Sequence, residues 1–397
     1  MNMQFPEGFL WGTSTSAFQI ETAFSHDWKG LKARDGSVLE RTIDHEVHRQ
    51  EDAQIISSIG NAYRFSLDWS KLQKEPYGEF EPQTVHEYRS FMSILKSNDM
   101  HLMLVLHHFA NPKWFSDQGS WLSKKSSLLF SDYVEKVVGA FGDIVDSWNT
   151  INEPTIAIFL PYLSGMAPPY RKSLISAKNV LANMQKAHDI AYYALKSAYP
   201  DKLVGISNNT FVFDGEGIIG NNIARLLDYL VMNYVPDKFS NVDFIGLSYY
   251  GRISSLPMPI TALDNASKLD SLGRKHDKLW EYYPHGLEEN LIRMHKRYGK
   301  PLIITENGIC TDDDKFRVKG IIDHITSAFN AIMSGVDLKG YFHWSTFDNF
   351  ELVLGNSYRY GLVEVDYSTM KRTPRKSAEL YSKIAKANGI GTSRRIW

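Results

Sequence analysis

HLMLVLHHF (His101–Phe109), SSLLFSDYVEKVVGAFGD (Ser126–Asp143) and SWNTINEP (Ser147–Pro154) form the stretch on which the fold turns. The outer two are short apolar or β-branched runs that end in polar residues, and the middle one repeats its apolar residues at helical spacing. Together they predict a strand, a crossover helix and a second strand. The first run is too short, and too interrupted by histidines, for the ~18 consecutive apolar residues of a membrane span.

The same alternation extends in both directions. FLWGTSTS (Phe9–Ser16) and NAYRFSLDW (Asn61–Trp69) precede it, and LVGISNN (Leu203–Asn209), DFIGLSYY (Asp243–Tyr250), PLIITENG (Pro301–Gly308) and LKGYFHWS (Leu338–Ser345) follow. Helical spacing recurs over Asn179–Tyr199 and Gly286–Gly299. Eight strands with crossovers long enough for a helix predict the α/β class and one closed (β/α)8 TIM barrel. No Gly/Ser/Pro-rich linker divides the chain, so residues 1–397 read as a single barrel domain. Two intervals, Glu21–Gly60 and Gly251–Trp280, read as long loops with some local structure.

Of the 397 residues 43% are hydrophobic and 22% charged, which supplies a large core and excludes disorder. Lys+Arg number 44 against 45 Asp+Glu, a net charge of −1, so neither nucleic acid nor an anionic membrane is expected as a partner. The single cysteine, Cys310, cannot form an internal disulfide, and Met1–Phe9 holds no basic segment followed by a long apolar run. Both features make a reducing, cytoplasmic setting the default expectation.

Polar or aromatic residues end nearly every predicted strand: Ser16 and Gln19, Arg64, His107 and His108, Asn152 and Glu153, Tyr249 and Tyr250, Glu306 and Asn307, then Trp344. A barrel gathers these ends on the face where such folds hold active sites. Glu153 in TINEP and Glu306 in ITENG each follow an apolar strand and sit beside an asparagine. Lying three strands apart around the barrel, they can face each other across a bound substrate. Glycoside hydrolysis needs such a pair, one acid for the leaving oxygen and one carboxylate for the oxocarbenium-like carbon.

Other patterns carry less. GEGIIG (Gly215–Gly220) fits the dinucleotide spacing, but its first glycine lies beyond the predicted strand end at Asn209. HEVH (His45–His48) spaces its histidines by three, not four, so the zinc-protease pattern fails. TDDD (Thr311–Asp314) lacks a calcium-loop pattern and reads as a solvated loop, and Cys310 as a small buried side chain. With no ligand cluster of metal spacing, neither metal nor organic cofactor is expected.

With TINEP and ITENG in this order, the chain resembles glycoside hydrolase family 1, the retaining β-glucosidases and β-galactosidases. The resemblance spans nearly the whole chain: FPEGFLWGTSTSAFQIE (Phe5–Glu21), YRFSLDWSKL (Tyr63–Leu72), DFIGLSYY, GYFHWSTFDNFE (Gly340–Glu351) and YGLVEVDYSTMKRTPRKSA (Tyr360–Ala378) all match. It implies Glu153 as acid/base and Glu306 as nucleophile. Gln19, His108, Asn152, Trp344 and Glu351 would surround the sugar ring, while Arg64 and Tyr250 would hold the nucleophile. The implied function is a retaining exo-β-glycosidase, most simply a β-glucosidase with some β-galactosidase or β-fucosidase activity. Its partner would be a small β-glycoside or oligosaccharide.

Three departures qualify the resemblance. Ser248 stands where the family usually has Asn, Leu352 stands where it has Trp, and Glu21–Asp44 is compressed, which predicts an open outer subsite. The alternatives are a 6-phospho-β-glycosidase, a transglycosylase and an inactive sugar-binding relative. The first would replace Glu351 with a small residue and carry lysine in place of Tyr358, which this chain does not.

Overall fold

Each of the eight apolar runs forms a parallel strand. The computed structural model describes residues 3–22, 25–256 and 265–391. In it the strands are β1 (Leu10–Ser14), β2 (Ala62–Ser66), β3 (His101–His107), β4 (Ser147–Asn152), β5 (Leu203–Gly215), β6 (Phe244–Leu256), β7 (Leu302–Asn307) and β8 (Leu338–Trp344). They pair in sequence order, and β1 also pairs with β8, which closes the barrel. Strands β2, β4 and β7 are buried at every residue. Parallel strands covered by helices outside and side chains inside are buried on both faces, here even where they carry polar residues such as Arg64, Asn149 and Asn152.

The covering helices include α1 (His45–Ile59), α2 (Pro82–Lys96), α3 (Ser126–Phe141), α4 (Leu174–Ala198), α5 (Gly217–Tyr229), α6 (His285–Tyr298), α7 (Asp314–Met333) and α8 (Lys376–Ala387). Inside the barrel, Ala62, Met103, Phe244, Ile303 and Phe342 form a cluster separate from the larger outer core. Because side chains alternate along a strand, residues two further on point the same way. Ala62 therefore packs into the plug while Arg64 lies above it, toward the mouth.

Two sequence expectations change. The interval Glu21–Gly60 contains the full helix α1, whose apolar signal is confined to its second half: it buries Ala53, Ile56 and Ile59 together with the polar His45 and Asp52, and Asp52 lies fully buried, 2.7 Å from His45 and 2.9 Å from Arg372. Strands β5 and β6 also run past Asn209 and Tyr250, pairing Val212 with Arg252 and Phe213 with Ile253. This ribbon stands beyond the barrel rim and feeds α5. GEGIIG thus sits at the turn between β5 and α5: a Cβ at Gly215 would lie 2.1 Å from the Gly220 carbonyl, and Gly217 has φ +63°. Its glycines serve the turn. Residues 23–24 and 257–264, parts of the two predicted loops, lie outside the described residues.

HEVH lies in the first turns of α1, where His48 meets Glu51 at 3.2 Å. In TDDD, Asp313 caps α7 by accepting from the Lys315 amide at 2.9 Å, so this run begins a helix. Cys310 is fully buried beside Trp344 and Tyr360. Among the described residues no helix is long and apolar enough to cross a membrane.

Candidate active site

Arg64 organises the barrel mouth. Its side chain is fully buried, and one terminal nitrogen donates to Glu306 Oε1 at 2.7 Å and to Ser14 Oγ at 2.8 Å. The other donates to Asn152 Oδ1 and, at 3.1 Å, to Ser207 Oγ. A buried guanidinium needs this many acceptors to offset lost hydration. Tyr250 donates its hydroxyl to Glu306 Oε2 at 2.7 Å, so each carboxylate oxygen has its own donor.

Irregular pairing places these groups. The register slips between Asn149 and Asn152 on β4, and both side chains reach the Arg64–Ser207 network although they are three residues apart. Slips also occur next to Ser248 on β6 and before Asn307 on β7. Such bulges re-aim side chains that strict alternation would send outward.

Glu153 follows β4 in left-handed backbone, φ +43°, at the start of a short helix, Pro154–Ile158. Asn209 donates to its Oε1 at 3.0 Å. Burial first, and then the charge of Glu306, push the Glu153 carboxyl above the usual carboxylate range; the Asn209 amide and the nearby Ser248 hydroxyl pull the other way. One carboxyl is thus set to carry a proton, and the other is clamped by a cation and a phenol.

Asn152 gives its amide nitrogen to His108 Nε2 at 2.9 Å, and that ring nitrogen stands 3.9 Å from Glu306 Oε1. Burial, assisted by the Arg64 charge, holds His108 well below its usual value, so the ring is neutral. Trp344 lies 5.9 Å from His108, centroid to centroid, and donates its indole N–H to Glu351 Oε2 at 3.2 Å. Burial raises Glu351 to about 8 despite that bond, and Glu306 adds to the rise. Gln19 donates to Asn349 Oδ1 at 3.0 Å and to the Phe350 carbonyl at 2.9 Å.

The nine side chains given a catalytic, sugar-contacting or nucleophile-holding role lie at this mouth: Glu153, Glu306, Arg64, Tyr250, Asn152, His108, Gln19, Trp344 and Glu351; of the other strand-end residues, His107 instead meets Asn111 at 3.1 Å and Tyr249 donates to the Tyr283 carbonyl at 2.6 Å. Gln19 Oε1, His108 Nδ1 and Asn209 Oδ1 are buried without a hydrogen-bonding partner among the described residues. Polar atoms left so in a buried site are suited to a polyhydroxylated ligand. Sequence reading missed Asn209, the last residue of the run LVGISNN. It also missed Ser207 and Ser14, whose hydroxyls carry no pattern of their own.

The family model for glycosyl hydrolase family 1 matches residues 1–213 and 236–390. A β-glycosidase structure from Pyrococcus horikoshii is 34% identical, with TM-score 0.87 over 98% of this chain and 96% of that one. Beta-glucosidase A of Thermotoga maritima is 28% identical over 98% of this chain and its own full length. A chloroplastic galactolipid galactosyltransferase of Arabidopsis thaliana is 30% identical over 87% of this chain and 57% of its own.

Proposed function

Because the chain belongs to glycosyl hydrolase family 1 and is a β-glycosidase by that membership and its relatives, we propose that it is a retaining exo-β-glycosidase with Glu306 as nucleophile and Glu153 as acid/base. The observation that carries this reading is the unequal treatment of the two carboxyls. Glu306 is held at both oxygens by Arg64 and Tyr250, whereas Glu153 is pushed toward its protonated form.

In the first step a Glu306 oxygen forms a bond to the anomeric carbon while the glycosidic C–O bond breaks and the leaving oxygen takes the Glu153 proton. Glu153 is then a carboxylate and removes a proton from water. That water attacks the anomeric carbon, releases the sugar from Glu306 and leaves Glu153 protonated again. Gln19, His108, Asn152 and Glu351 would bond the sugar hydroxyls, with Trp344 as an apolar wall. Residues 1–397 would act as one catalytic domain, and the simplest substrate is a β-glucoside, with β-galactosides or β-fucosides accepted. A second reading, sugar transfer to an alcohol in place of water, is supported by the similarity to the galactosyltransferase and uses the same residues.

Proton NMR of the first turnovers should show the β-anomer, since the paired carboxyls of a retaining site lie only ~5–5.5 Å apart. Glu306→Gly should lose hydrolysis and regain part of it with azide. Glu153→Ala should keep the first step for nitrophenyl glycosides, whose leaving groups need no proton. Early α-anomer, or two variants that fail alike without azide rescue, would overturn the assignment.

A further inference from the structure

Residues 214–235, which the family model leaves unmatched, build part of the wall of an apolar cavity of about 200 Å³ against the short helix that Glu153 begins. Leu227 of α5 and Val231 in the turn after it line the cavity together with Thr155 and Ile156 of that helix. Phe211, two residues past Asn209, and Leu352, next to Glu351, line it as well. No charged side chain lines the cavity among the described residues. Its Trp280 indole N–H is already given to the Tyr360 hydroxyl at 3.1 Å.

We propose that this cavity receives the leaving group, and that the leaving group is an apolar alcohol, alkyl, isoprenoid or aryl, not a second sugar. The inference rests on Glu153 as the proton donor, because the departing oxygen must lie at that carboxyl and the remainder of the leaving group must extend past it. A sugar there would bury several hydroxyls against leucine, valine and phenylalanine, and each unpaired polar group costs roughly tenfold in affinity. The volume holds roughly seven heavy atoms at the ~30 Å³ of a liquid water, which suits an aryl ring or a six- to eight-carbon chain. A longer chain has a continuation. Ile219, Ile223, Leu226 and Leu230 follow helical spacing beside Leu227, and Ile219 and Leu226 are 70% and 57% exposed.

Methyl, hexyl and octyl β-glucoside, all below micelle-forming concentrations, and cellobiose test the proposal, since alkyl leaving groups differ little in chemistry. Burial is worth roughly fourfold per methylene. Octyl glucoside should exceed both methyl glucoside and cellobiose in kcat/KM by at least about tenfold. Leu227→Ser should lower the octyl-to-methyl ratio at least about threefold. Calorimetric Kd values on Glu153→Gln, which keeps the shape of a protonated acid, should follow the same order. A flat methyl-to-octyl series, or cellobiose equal to octyl glucoside, would overturn the proposal. If no glycoside turns over, the glycosidase assignment fails, and the Kd order alone decides the cavity.

Discussion

Leu352 has φ +45°, a left-handed backbone already accepted by a residue with a Cβ, so exchanging its side chain adds little new backbone strain. The resemblance puts Trp at this position, and Leu lacks the indole N–H that would bond a sugar hydroxyl. Losing one such bond is worth roughly 0.5–1.5 kcal/mol, about two- to tenfold in selectivity. The ratio of kcat/KM for β-glucoside over β-galactoside should therefore be small, and Leu352→Trp should shift it about two- to tenfold. Nitrophenyl glycosides suit the measurement, because both share one leaving group and any change in the adjoining apolar cavity cancels. A folded Leu352→Trp enzyme with an unchanged ratio would assign the contact to another residue.

At the scale of elements, the polar anchoring of α1 makes a sharper test than its apolar contacts. Arg372, following the Val363–Val365 strand and within the short Arg372–Pro374 strand, donates to Asp52 Oδ1 at 2.9 Å and to the Ile43 carbonyl at 2.7 Å. Neither side chain of the Arg372–Asp52 pair is exposed. Removing one partner of such a pair leaves a buried charge unmatched, at about 3–5 kcal/mol. Asp52→Ala should lower unfolding free energy by that order in urea titrations, and a loss under about 1 kcal/mol would contradict it. The same feature explains what was legible. Strands buried on both faces, such as β3 and β7, announce themselves as apolar runs, whereas the core face of α1 mixes Ala53, Ile56 and Ile59 with the polar His45 and Asp52. The outer half of β5, Phe211–Gly215, was unreadable because its partner is the equally irregular outer half of β6. Glu153 and Glu306 were legible as strand-end carboxylates, but Asn209 acquires meaning only when the fold brings it to Glu153.

For the whole molecule, buried titratable groups of opposite sign make stability depend on pH in two regimes. His26, His107, His188 and His324 are lowered to about 4, and His343 to about 3, chiefly by burial. Around and below the unfolded value near 6.5 the unfolded chain binds protons that these rings refuse, so their contribution rises with pH and is complete only about one unit above that value. Carboxyls raised by burial behave in the reverse sense. Asp27 and Asp277 move to about 6 and Glu351 to about 8, so each folded group keeps a proton that the unfolded chain has released. Their stabilisation is full below the unfolded values near 4 and is lost as pH climbs to the folded ones. Between about pH 7.5 and 8.5 the histidines and the two aspartates have nearly finished titrating, and the slope that remains comes chiefly from Glu351 and Glu153. It is negative, at up to about 1.4 kcal/mol per pH unit for each group. Urea titrations of the ligand-free protein at about pH 7.5, 8 and 8.5 should show falling stability. Glu351→Gln, neutral throughout and still able to accept from Trp344, should fall about half as steeply, and a variant as steep as the wild type would mean that Glu351 is already ionised at about pH 7.5.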